Sequence, residues 1–139
     1  MMPVEEVKLT ASFKVGLTDV NEATISEIYR LFKEYRRIVN ELIEYAHSHR
    51  TTSFISLHYA RYRELRQRYP TLPSHYIKCA CRHAASIYKS FIEMKKLGMC
   101  EMERPIFKGR EIWLDKELFK LDAEGWRASI TLHGGRWLH

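Results

Sequence analysis

The chain has 139 residues, 45% apolar and 29% charged, with 6 glycines and 4 prolines. That is the length of one domain and the composition of a folded protein, which excludes collagen-like, low-complexity and disordered classes. The net charge of +6 is uneven: residues 1–49 hold 6 Lys/Arg against 8 Asp/Glu, residues 50–96 hold 10 against 2, and residues 97–139 hold 7 against 7. Charge concentrated in the middle third points to an anionic partner, nucleic acid first, since a uniformly basic solubility balance would not segregate this way; no run approaches 18 consecutive apolar residues, and no membrane partner is expected.

Val7, Leu9, Ala11, Phe13 and Val15 alternate with polar residues and predict a half-buried strand. Thr18-Asp19-Val20-Asn21 can cap a helix whose apolar residues recur at Ile25, Ile28, Leu31, Tyr35, Ile38, Leu42 and Ala46. After a polar break at His47 to Ser53, Thr52 or Ser53 caps a second helix from Phe54 to about Tyr69, ended by Pro70 and Pro73. Ser74 caps a third, running to Leu97 with Gly98 as its stop. Beyond Met99, glycines punctuate short runs, GREIWLD, WRASITL and GRWLH, that read as strands. A lone first strand needs partners, so residues 1–17 are expected to pair with strands in 99–139, with the helices of 18–98 inserted between them. The expected fold is α+β, a small and incomplete β-barrel carrying three helices, with the three tryptophans in its β core.

No cofactor or metal is expected. Cys79, Cys81 and His83 sit at i, i+2, i+4 on the third helix, so Cys81 points about 200° from Cys79 and the three cannot converge on one ion. An odd cysteine count forms no disulfide framework, and Glu5, Glu6 and Lys8 stand where a secretion signal needs an apolar core; a cytosolic chain is expected. Glu111, Asp115, Glu117, Asp122 and Glu124 lack tight acidic spacing and read as surface charge.

The charges that matter lie on the helices. Taking about 100° per residue, Lys78, Arg82, Lys89 and Lys96 fall in one narrow stripe opposite the apolar face of the third helix, with only Glu93 nearby. An unneutralised stripe is what following a phosphate backbone requires. In the second helix Arg61, Arg63, Arg66 and Arg68 alternate with Tyr59, Tyr62 and Tyr69; Tyr62 and Tyr69 share the face of Leu65 and pack inward, leaving Tyr59 as the stacking candidate. The first helix pairs Arg30 with Glu34 and Arg37 with Glu41 as ordinary surface, with Arg36 at the margin of its apolar stripe.

The run YRELRQRYPTLPSHYIKCACRHAASIYKSF, followed by RPIFKGREIWLDKELFKL and ITLHGGRW, together with Tyr35-Arg36-x-x-Val39-Asn40, resembles the TnpB/OrfB family of transposon-encoded, RNA-guided DNA endonucleases. The resemblance implies the guide-RNA and target-DNA recognition part of such a protein, without its RuvC-like nuclease domain, and places Ser74 and Lys78 near base readout. The function expected is therefore nucleic-acid binding without catalysis, through Arg36, Tyr59, Arg63, Arg66, Ser74, Lys78, Arg82, Lys89 and Lys96. The alternatives are a protein-interaction subunit and a non-functional transposon remnant; a nuclease in its own right would need a carboxylate cluster that the sequence lacks.

Overall fold

Three helices and three short strands make up the described residues, 21–109, 111–122 and 127–138, of the computed structural model. The expected strand at Val7 to Val15, together with Glu124 and Trp126, lies outside them. Helix α1 spans Glu22–His49, three residues past the last apolar position of the pattern. It starts where the Asn21 side chain accepts the Thr24 N–H at 2.8 Å, and ends at Arg50 in the left-handed conformation. Helix α2, Phe54–Arg68, is capped by Ser53 accepting from the Ser56 N–H. Helix α3, Ser74–Lys96, departs from expectation at its start. Pro73 holds the N-cap position with no side-chain bond, and Ser74 is the first helical residue. A proline there fixes the backbone and has no N–H to lose, which makes a hydroxyl cap unnecessary.

α3 packs against both α1 and α2. Its buried residues run from Cys79 and His83 through Tyr76, Ala80, Phe91, Ala84 and Ile77 to Tyr88, Cys81 and Ala85. At about 100° per residue they cover about 240° of the helix, wider than a one-sided amphipathic pattern predicts. Cys79 and Cys81 are thus both buried although they point apart. Met94, expected on the buried face, is exposed.

The chain after α3 closes over the helices. Strands β1 (Phe119–Asp122), β2 (Arg127–Thr131) and β3 (Trp137–Leu138) form an antiparallel sheet in the order β1-β2-β3, pairing Phe119 with Ile130 and Thr131 with Trp137. Three helices followed by this open sheet make an α+β fold, consistent with an incomplete small barrel. Two expectations fail. Residues 111–115 form no strand, because the Trp113 N–H donates to the Tyr35 hydroxyl (3.2 Å) and Ile112 and Leu114 lean on the helical core. The two described tryptophans do not build a β core: Trp113 is partly exposed, and the Trp137 ring lies under the Lys120 ammonium at 4.2 Å. Beyond α3 only Phe107, Leu118 and Leu132 join the buried cluster, so the described core is helical.

Three of the attachments that hold this layer to the helices engage its backbone directly. The Tyr76 hydroxyl donates to the Thr131 carbonyl at 2.7 Å, and the Gly134 N–H donates to the Thr71 carbonyl at 2.6 Å. That second bond needs the turn in which Gly134 and Gly135 take φ of +74 and +77. At the third, the Asn40 side chain donates to the Phe107 carbonyl (2.9 Å) and accepts the Phe107 N–H (2.7 Å), pinning a segment without ladder partners to α1. A Cβ on Gly109 would lie 2.5 Å from the buried Phe107 ring. Gly109→Ala is therefore expected to displace that ring and cost about 1–3 kcal/mol, read as a lower thermal midpoint, whereas Ala at exposed Ser86 is expected to leave it unchanged.

Candidate nucleic-acid interface

Lys78, Arg82, Lys89 and Lys96 are all exposed and have no acidic partner among the described residues. Because α3 is buried over most of its circumference, they share the strip that remains with few other residues, Glu93 and Ser86 among them. Lys78 and Lys96 are 18 residues apart, which spans about 27 Å of helix. Lys78 also adjoins α2: burial and then the charge of Lys78 hold the His58 imidazole below its ordinary range. Arg82 lies 4.9 Å over the Phe54 ring, so the stripe continues onto the start of α2. Lys96 stands in the last turn, where a cation also complements the helix carbonyls.

On α2 the sequence-derived set divides. Tyr59 is 92% exposed, its ring open on both faces, and Arg63 is exposed without an acidic partner among the described residues. Tyr62 and Tyr69 pack against the core, as their spacing with Leu65 predicted. Arg66 instead donates to the Leu72 carbonyl and fastens the α2–α3 connection. Arg61 and Arg68 both bind Glu41 of α1, so the local Arg37–Glu41 pair does not form. Burial opposes ionisation of Glu41, but the bonds from Arg68 and Arg61 outweigh it and hold the carboxyl below its usual range. Ser74 is half-buried, one turn before Lys78. Arg36 is not gathered with the others. It lines a groove of about 730 Å³ with Ile25, Ile28, Phe32 and Gly109, to which α2 and α3 contribute nothing.

Sequence reasoning missed a second constellation, inside the fold. The His83 Nε2 lies 3.1 Å from Glu111 and its Nδ1 lies 2.8 Å from the Tyr35 hydroxyl. The carboxylate can only accept, so Nε2 carries the proton and Nδ1 accepts from Tyr35, whose oxygen in turn accepts the Trp113 N–H. Trp113 stacks on the imidazole with centroids 4.4 Å apart and planes 9° from parallel. Burial drives the Tyr35 hydroxyl well above its usual range, so it stays a neutral donor. His75 bonds Asp115 in the same manner at 2.8 Å. Burial works against ionisation there too, and the His75 bond with those from the Glu117 and Leu118 N–H groups prevails, holding Asp115 low. Glu111 and Asp115 are thus not surface charge alone; each holds a histidine of α3. The signal available in the sequence was the eight-residue spacing of His75 and His83, which places both toward one side of that helix.

The three cysteine thiols are free. Burial pushes Cys79 up to about 11 and Cys81 up to about 12, which removes the thiolate a nucleophile needs. No group of three or more metal-ligating side chains is found among the described residues. No helix among them is long and apolar enough to cross a membrane.

A model of the uncharacterized protein MJ0013 family matches residues 31–131, from the middle of α1 to the end of β2. The chain belongs to that family. It is also 26% identical over 140 residues to uncharacterized protein MJ0857 of Methanocaldococcus jannaschii, an alignment covering 91% of this chain and 50% of the relative. The chain therefore spans about half the length of that curated relative. No solved structure matches it. The resemblance to TnpB/OrfB is overturned by these matches, and the transposon origin, the truncated recognition half and the transposition role fall with it. The residues that carried it have packing roles instead. Leu72 is buried, Pro73 begins α3, and Phe107 fills the space that Gly109 leaves.

The His83 cluster makes stability depend on pH. Burial holds the folded-state imidazole below its ordinary value of 6.5, against the opposing charge of Glu111. Unfolding then takes up a proton at pH values between the folded value and about 6.5, so stability is full above that window and falls as pH is lowered through it. Urea midpoints measured from pH 8 to pH 5 are expected to decline below about 6.5. His83→Phe is expected to be less stable at pH 8, where Tyr35 loses its acceptor, and to show a shallower decline.

Proposed function

We propose that this chain binds nucleic acid along the exposed face of α3 and the adjoining outer side of α2. The observation that carries the reading is the stripe Lys78, Arg82, Lys89 and Lys96, four solvated cations with no acidic partner among the described residues. Five arginines elsewhere, Arg30, Arg61, Arg68, Arg104 and Arg136, are paired with carboxylates. A row of about 27 Å can meet several phosphates of one strand or groove edge, and release of their counterions supplies affinity without sequence readout. Arg63 extends the row, and Tyr59 offers a ring for stacking an unpaired base. Ser74, beside Lys78 at the start of α3, adds a hydroxyl and outward backbone N–H groups.

A second reading has its own support. Met94, Leu97, Met99, Met102 and Ile106 are all exposed, and the Lys95 ammonium bonds the Met102 carbonyl, drawing this stretch back along α3. Flexible apolar side chains in one stretch suit a protein partner.

Salt separates the two readings. Fluorescence-anisotropy titration of structured RNA, single-stranded DNA and duplex DNA across a salt series is expected to give affinity that falls steeply with salt. Lys78→Glu, Arg82→Glu and Lys89→Glu together are expected to weaken it well beyond tenfold with an unchanged circular dichroism spectrum. Unchanged affinity in that folded variant, or no binding at low salt, would overturn the reading.

A further inference from the structure

Between the second half of α1, the middle of α2 and residues 104–106 lies an open cleft of about 700 Å³. It is lined by Arg37, Tyr45, Ser48, His49, Arg61 and Arg104, besides the acids Glu41 and Glu44, and it shares no residue with the α3 stripe. Its volume is that of a small-molecule site.

The charges in this cleft are unequally spent. Glu41 is held by two arginines, Arg61 and Arg68, through the same carboxylate oxygen. Arg37, one turn before Glu41, is left exposed with no acidic partner among the described residues. Arg104 reaches Glu44 only at 3.7 Å, between side chains that are largely in solvent, and such a pair yields readily to a better acceptor. Arg61 carries its own imbalance: its Nη atoms bind Glu41 and Glu64, while its Nε is shut off from solvent with no acceptor. Two guanidinium groups are thus available to an anion at the rim, and planar forks of this kind match phosphate oxygens in pairs.

One wall of the same cleft is aromatic. The Tyr45 and His49 rings are stacked, 3.9 Å apart and 16° from parallel, and the Arg61 guanidinium lies 5.9 Å from the Tyr45 ring on α2's side. His49 ends the stack and is exposed. Its Nδ1 lies 3.1 Å from the Tyr45 carbonyl, to which it can only donate; this fixes the ring and leaves Nε2 for a further polar contact.

We propose that this cleft binds one nucleotide unit, its phosphate on Arg37 and Arg104 and its base against the exposed face of the His49 ring. The unit is a free mononucleotide or the phosphorylated end of a strand, which share this chemistry. The proposal rests on these residues and not on the α3 stripe.

Isothermal titration of the full chain at low salt with AMP, UMP and inorganic phosphate tests it. Saturable mononucleotide binding is expected, weakened at least tenfold in Arg37→Gln/Arg104→Gln, both exposed positions whose change leaves the circular dichroism spectrum intact. His49→Ala is expected to weaken mononucleotide binding while leaving that of phosphate alone unchanged. Competition by a 5′-phosphorylated oligonucleotide at lower concentration than AMP assigns the unit to a strand end, and weaker competition assigns it to a free nucleotide. Absence of saturable binding, or equal affinity in the folded double variant, overturns the proposal; phosphate binding as tightly as AMP overturns the base contact. Mononucleotide affinity is expected to persist in K78E/R82E/K89E, so failure of the cleft and failure of the stripe are read separately.

Discussion

The burial of α3 on two sides is the constraint on which the rest of the structure depends. A surface helix buries one stripe and spreads its charges over the remainder, but α3 has α1 and α2 on one side and the segment after residue 104 on the other. Only about 120° of its circumference is left for solvent. Lys78, Arg82, Lys89 and Lys96 are confined to that strip by exclusion, and the strip becomes predominantly cationic without any residue having to be aimed. His83, a polar group on the covered side, had to find partners there, and Glu111 and Tyr35 provide them, while half-exposed His75 at the margin of the strip meets Asp115. The same constraint produces the exposed cationic line and the buried imidazole of His83.

Helix α1 supplies the counterpart in acid. Glu27, Glu34 and Glu41 are spaced seven apart, with Glu44 one turn on, and each meets a basic side chain from another part of the chain: Arg136, His133, Arg61 with Arg68, and Arg104. Seven residues return a helix to nearly the same face, so these carboxylates form a rail along one edge of the apolar stripe. The outer pairs are exposed and each contributes little. His133 and Glu34 differ, since their side chains are 8% and 13% exposed at 2.5 Å, and they fix the β2–β3 turn against α1. The rail pairs two arginines of α2 and leaves Arg63 outward with Tyr59. It neutralises one side of the molecule and leaves the α3 side unneutralised.

The helices were legible in the sequence because their evidence is local. Asn21 and Ser53 cap as their positions implied, Pro70 ends α2, and the apolar spacing marks Leu31, Tyr35, Ile38 and Leu42. The stripe was legible too, since angles on a helix follow from numbering alone. What failed depended on distant residues. Arg37 and Glu41 have the right spacing for a pair, but nothing local announces that Arg61 and Arg68 arrive from α2. Glu111 and Asp115 lack neighbours in sequence, and their histidines are 28 and 40 residues away. The run at 109–115 has the alternation of a strand, yet its backbone is claimed by a tyrosine hydroxyl 78 residues back.

The family resemblance failed for a related reason. Short runs such as Leu72-Pro73-Ser74 and Phe107-Lys108-Gly109 look like signatures, but each answers a demand that any helix pair with a closing segment makes: a buried anchor, a helix start without an N–H to satisfy, a ring with a glycine beneath it. Collinear order of such features follows from the order of helices and closing segment, so it adds little independent information about descent. Solvated charge is different evidence. Lys78, Arg82 and Lys89 are exposed and hold no acid among the described residues, and apart from the Arg82 contact with the Phe54 ring no packing role is seen for them. Residues that the architecture does not require are the ones from which an activity can be argued, and in this chain they lie on α3 and at the rim of the Arg37–Arg104 cleft.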